Sequence, residues 1–112
     1  MKYYYNGRLL FVDMVHTYRY AVLEGDRVIT CQPDRKRAEA AAAVSRSYRE
    51  KIIRQFEKAL TLYDVYRQNQ EATALFRTIK EDYPTPSLIH AAIRRQRQTL
   101  ASIRVEPLEV VE

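Results

Sequence analysis

Fifty consecutive residues, 34–83, contain neither glycine nor proline, and this gap limits what the chain can become. Every strong chain-breaker lies outside it: Gly7, Gly25, Pro33, Pro84, Pro86 and Pro107. Proline removes a helical N–H and glycine adds backbone entropy, so a stretch without either is free to be helix. The breakers on the N-terminal side punctuate short segments rich in tyrosine, a residue that favours strands.

The first 31 residues read as two hairpins. Lys2–Tyr5 and Arg8–Val12 flank Asn6-Gly7, the dipeptide that best supplies positive φ at both centres of a type I′ turn. A two-residue loop pairs Tyr5 with Arg8, Tyr4 with Leu9, and Tyr3 with Leu10. Both faces of this hairpin then carry apolar groups, so it either packs on both sides or leaves one for a partner. Tyr18–Leu23 and Arg27–Cys31 flank Gly25-Asp26 in the same way. That turn pairs Glu24 with Arg27 and places Tyr20, Val22, Ile29 and Cys31 on one apolar face.

Pro33 and Asp34 open a helix, proline being tolerated in a first turn and an acid favoured at the positive end of the dipole. Ala38, Ala41, Ser45, Tyr48, Ile52, Phe56, Ala59, Leu62, Tyr63 and Tyr66 then recur at steps of three or four. A second apolar set, Ala72, Leu75, Phe76, Ile79 and Tyr83, is also helical but centres roughly 150° away at ~100° per residue. Either the polar run Arg67-Gln68-Asn69-Gln70 breaks the rod into two helices, or one helix presents opposite faces. Residues 34–69 alone span roughly 54 Å at ~1.5 Å per residue, against a radius of gyration of ~13 Å for a compact chain of this size. A protruding helix with apolar residues along it invites a partner. Thr85 caps and Pro86 begins a last helix with Leu88, Ile89, Ala92, Ile93, Leu100 and Ile103 inward. The segment Val105–Val111 reads as a short edge strand, because Pro107 excludes a central one.

The 112 residues, 46% apolar and 29% charged, suit one globular domain, residues 1–112. No apolar run nears the ~20 residues that span a bilayer. The absence of a secretion signal in MKYYYNGRLL and the single Cys31 both point to the cytoplasm, with no internal disulfide. The net charge of +5 is spread evenly along the chain, without a single-sign tail, so no polyanion-binding arm is expected.

Catalytic constellations are missing. His16 and His90 stand alone, there is no HExxH, CxxC or GxSxG, and two glycines cannot build a phosphate loop. No enzyme, metal or cofactor is expected. Two other groups carry the functional reading. Phe56, Tyr63, Tyr66, Leu75, Phe76 and Ile79 form the aromatic and aliphatic edges of the central rod and are the candidate protein contacts. Arg35, Lys36 and Arg37 at the start of that rod, with Arg94, Arg95 and Arg97 on the last helix, are the candidate nucleic-acid contacts.

The sequence therefore predicts an α+β chain: an N-terminal antiparallel hairpin sheet, a long amphipathic helix, two shorter helices and a C-terminal edge strand. Its expected role is a non-catalytic interaction module that forms a homo-oligomer or docks a protein partner through the long helix. The competing expectation is a nucleic-acid-binding accessory protein.

Overall fold

A computed structural model describes residues 1–69 and 85–112. Four strands come first: β1 (Lys2–Tyr5), β2 (Arg8–Val12), β3 (Tyr20–Glu24) and β4 (Arg27–Gln32). Helix α1 (Arg35–Asn69), helix α2 (Pro86–Ala101) and strands β5 (Ile103–Pro107) and β6 (Glu109–Val111) follow. The chain divides into two compact units, Met1–Ser47 with Ala101–Glu112, and Tyr48–Leu100.

In the first unit the two hairpins form where their turns place them. Asn6 and Gly7 both have positive φ, 51° and 76°, as a type I′ turn needs. Gly25 alone is positive in the second turn, at 62°, the pattern of a type II′ turn. Pairing starts as the loop lengths dictate, Tyr5 with Arg8 and Tyr4 with Leu9, then Glu24 with Arg27 and Leu23 with Val28. Each ladder next slips by one residue. Tyr3 pairs with Phe11, not Leu10, and Val22 pairs with Thr30, not Ile29. A bulge of this kind leaves one residue of the outer strand unpaired and increases the local twist.

The hairpins do not share a sheet. They seed two three-stranded sheets, β2-β1-β6 and β4-β3-β5, both antiparallel. β3 is central in its sheet, and Ala21, Val22 and Leu23 are all fully buried, so both faces of the strand are covered. The single expected C-terminal edge strand is two strands. β5 starts at Ile103, a residue expected in the last helix, and β6 crosses to the other sheet after Leu108, whose N–H donates to Arg19 O at 2.8 Å. Pro107 ends β5 on the sheet margin, where a missing N–H is tolerated.

The expectation of two shorter helices after the long one is also corrected. Among the described residues there are two helices, one long and one short. The third rested on the apolar periodicity of residues 72–83. Those residues lie outside the described ones.

Local capping is as the sequence implies. Asp34 Oδ1 accepts the Arg37 N–H at 2.7 Å, and its carbonyl takes the Ala38 N–H at 3.1 Å. Asp34→Ala is expected to cost about 0.5–2 kcal/mol, the usual worth of an N-cap, read as a lower urea midpoint. Along α1 in the first unit the buried positions are Ala38 and Ala42, small side chains that let a neighbouring backbone come close.

The second unit has a separate core. Ile53, Phe56, Ala59 and Tyr63 of α1 pack with Ile89, Ala92 and Ile93 of α2. Thr85 caps α2, its carbonyl and hydroxyl lying 3.1 and 3.4 Å from the Leu88 N–H. Tyr48, expected on the inward stripe, is 61% exposed. Arg49, the next residue, is turned inward instead, and its Nη1 donates to Gln96 Oε1 of α2 at 3.0 Å.

Candidate functional site

The surfaces of interest are built on the strands of the first unit. Tyr3 is their anchor. Its ring is fully buried, stacked on Phe11 at 4.8 Å and edge-on to Tyr18 at 5.4 Å. Its hydroxyl donates to His16 O at 3.0 Å and accepts the Tyr18 N–H at 3.2 Å. Asp13 holds the start of the same loop. Its Oδ1 accepts the Val15 and His16 N–H groups, both at 2.8 Å, and Oδ2 lies 3.3 Å from His16 Nδ1. The His16 and Val15 amides keep the Asp13 carboxyl below the usual range. Between these two fastenings Met14 and Val15 stand 85% and 84% exposed.

Cross-strand pairing places Lys2, Tyr4, Leu9, Val12, Glu109 and Val111 on one face of the first sheet, opposite Tyr3. Leu9, Val12 and Val111 are 48%, 54% and 42% exposed there. One face of this hairpin thus packs inward and the other is open.

A second feature lies at the tips of the two hairpins. Tyr5 donates its hydroxyl hydrogen to Glu106 Oε2, and Arg104 Nε donates to Glu106 Oε1 at 2.8 Å. Arg104 Nη1 also reaches Gly25 O at 2.9 Å and Ser102 O at 3.1 Å, while Ser102 Oγ accepts the Gly25 N–H at 2.9 Å. Side chains 99 or more residues apart in sequence are joined in this way. The Tyr5 hydroxyl, then Arg104, holds the Glu106 carboxyl below its ordinary value, and Glu106, then Tyr5, raises Arg104.

A carboxylate with a depressed folded-state pKa stabilises the fold above its unfolded pKa of ~4.3 and loses that contribution as pH falls through the folded value. Glu106→Gln is therefore expected to lower the urea midpoint at neutral pH. Its difference from the parent chain should shrink toward zero at pH values below the carboxylate range. A gap that stays constant with pH would contradict the ionic role of Glu106.

Beside this network is a cleft of about 570 Å³ lined by Tyr5, Asn6, Arg8, Asp26, Arg27 and Arg104, with Leu10 and Val28 as its apolar wall. The volume falls within the range of ligand-binding clefts. Arg8 and Arg27 each follow a two-residue turn, Asn6-Gly7 and Gly25-Asp26, and that shared offset is the sequence signal that could have marked them. Arg104 had none. Arg27 Nη2 is 3.9 Å from Glu24 Oε1, and the Arg8 guanidinium has no hydrogen bond or ion pair among the described residues.

The expected contact residues are placed elsewhere. Phe56 and Tyr63 are buried in the α1–α2 core. The side chain of Tyr66, and all of Leu75, Phe76 and Ile79, lie outside the described residues. Arg35 pairs with Glu39 at 3.8 Å and Arg37 with Asp34 at 3.6 Å, while Lys36 is exposed beside them. Arg97 donates to Glu57 at 3.1 Å. Arg94 and Arg95 are exposed with no ion pair among the described residues.

Among the described residues no group of three or more His, Cys, Asp or Glu is placed to hold a metal ion. No described helix is long and apolar enough to cross a membrane. Cys31 is a free, half-buried thiol, its pKa pushed up by burial. No family model matches the chain, and no curated protein or solved structure matches it.

Proposed function

We propose that this protein is a non-catalytic interaction module that self-associates through the open face of its first sheet. The observation that carries the reading is the exposed set Leu9, Val12 and Val111 on that face, extended by Met14 and Val15 on a fastened loop. Apolar side chains gathered on one face mark a contact surface far more often than scattered ones do. A second copy is the occupant that the charges favour. Lys2 lies in the row of Val12 and Val111, and Glu109 in the row of Tyr4 and Leu9. A two-fold axis lying in the plane of the contact, perpendicular to the strands, exchanges the rows and brings Lys2 of each copy beside Glu109 of the other.

The sheet supports this reading better than the long helix does, because Phe56 and Tyr63 are already used inside the chain's own core. The nucleic-acid reading keeps only Arg94, Arg95 and Lys36 as cations without an acidic partner among the described residues, a small footprint on a phosphate backbone. A lone cysteine, with no second to pair with, suits the reducing cytoplasm.

Light scattering at micromolar concentration tests the proposal. A dimer is expected, and Leu9→Glu with Val12→Glu should weaken it by at least ~100-fold. Fully burying each such side chain is worth about 1.5–3 kcal/mol, and ~1.4 kcal/mol is tenfold in affinity. A strictly monomeric parent chain, or a dimer that ignores both substitutions, overturns it.

A further inference from the structure

Asp13 carries the β1–β2 ladder one pair beyond Val12. Its N–H donates to Met1 O at 3.1 Å, and the Met1 amine donates to Asp13 O at 2.9 Å. Phe11 and Asp13 both line a cavity of about 370 Å³ on the inner side of β2. Alternation along the strand therefore sets Met14 on the side of Val12, the open face of the first sheet. At 85% exposure Met14 is the most exposed large apolar residue among those described. Asp13 Oδ1 and the Tyr3 hydroxyl pin the backbone around it, so the side chain is held out into solvent.

We propose that Met14 is a redox control point of this face: a peroxide converts its thioether to the sulfoxide and so weakens the self-association. The inference rests on the self-association proposed above. Sulfur sets this position apart from Leu9, Val12 and Val111. A thioether is flexible and apolar, whereas its sulfoxide is polar and costs desolvation in an apolar contact. In the reaction a sulfur lone pair attacks one oxygen of hydrogen peroxide. The O–O bond breaks, the S–O bond forms, and the proton of the transferred oxygen joins the departing hydroxide as water. Sulfur is oxidised and the peroxide reduced. Met14 Sδ accepts a hydrogen bond from the Met1 amine at 3.5 Å. A thioether sulfur is a weak acceptor and a sulfoxide oxygen a better one, so the same amine steadies the product. The chain's other sulfurs compete poorly. Met1 is half-buried, and Cys31 is a half-buried thiol whose burial disfavours the reactive thiolate. In the dimer Met14 lies against the second copy, so the free protomer is the form that reacts. Methionine sulfoxide can be reduced enzymatically, which makes the change reversible.

Hydrogen peroxide is applied to the full chain, and peptide mass mapping locates the added oxygen. Met14 is expected to be oxygenated before Met1 and Cys31, and more slowly at protein concentrations where the dimer covers it. Light scattering then compares each chain with its own untreated sample. Oxidation should weaken the parent dimer at least ~10-fold, the effect of losing one apolar side chain's burial. Met14→Leu has no sulfur at that position, so its dimer should not respond to the treatment. The urea midpoint of the treated parent should hold, because the side chain stands in solvent; a fall would place the effect in the fold and overturn the inference. If oxygenated Met14 leaves the dimer as strong as before, the inference is overturned while the sheet contact stands. If Met14→Leu responds to peroxide as the parent does, the effect belongs to another sulfur and the inference is overturned as well. A parent chain that is monomeric before treatment overturns both.

Discussion

Tyr3→Ala is expected to cost about 3–5 kcal/mol of stability, the range for removing a large aromatic side chain from a core. With ~5–15 kcal/mol available to a protein of this size, that change brings the chain close to unfolding. The melting temperature should fall by roughly 10–20 °C. Three effects add. The cavity lies between rings, Phe11 on one side and Tyr18 on the other, whose stiff planes cannot collapse to fill it. The His16 carbonyl and the Tyr18 N–H both lose their hydrogen-bond partner. The loop carrying Met14 and Val15 loses one of its two fastenings.

Tyr3→Phe separates these effects. It keeps the ring and removes the hydroxyl, so it should cost about 0.5–1.5 kcal/mol, the net worth of hydrogen bonds to part-buried groups. The loss should concentrate in the loop, seen as faster amide exchange at Tyr18. If Tyr3→Ala costs under ~1 kcal/mol, Tyr3 is not the centre of the packing around it.

Much of this anchor was hidden in the sequence, for a definable reason. The turns were legible, because Asn6-Gly7 and Gly25-Asp26 demand particular φ values that set the first pairs of each ladder. The caps Asp34 and Thr85 were legible for the same local reason. Register beyond the second pair was not. A bulge is selected by what the strand packs against, and one slipped residue reassigns every side chain after it. Thus Tyr3 joined Phe11 instead of Leu10. The run Tyr20-Ala21-Val22-Leu23 does carry a signal that alternation counting overlooks: unbroken apolar residues bounded by turns suit a strand covered on both faces. Nothing local could have placed Arg104 beside Tyr5, since that contact exists only once β5 and β1 have both found their sheets. The helix stripe failed at one point for a similar reason. Tyr48 and Arg49 point about 100° apart on the wheel, and the Arg49 side meets α2, where Gln96 Oε1 accepts its hydrogen bond.

The second large effect is expected in the other unit, at Ile89. Ile89→Ala should cost about 2–5 kcal/mol, because the residue is fully buried among Ile53, Phe56 and Tyr63 of α1. Leu88 provides an internal control one position earlier. It is 45% exposed, and its N–H, not its side chain, takes part in the Thr85 cap. Alanine raises helix propensity slightly at both positions, so propensity cannot make the two variants differ. What remains is burial. Leu88→Ala should change stability by no more than ~0.5–1 kcal/mol, as surface substitutions do. Urea titration followed by helical circular dichroism compares them directly. Equal losses would mean that α2 presents a different face to α1, and the core built on Phe56 and Tyr63 would have to be redrawn. A loss confined to Ile89 would leave those two aromatics committed inside the chain's own α1–α2 core and unavailable as partner contacts.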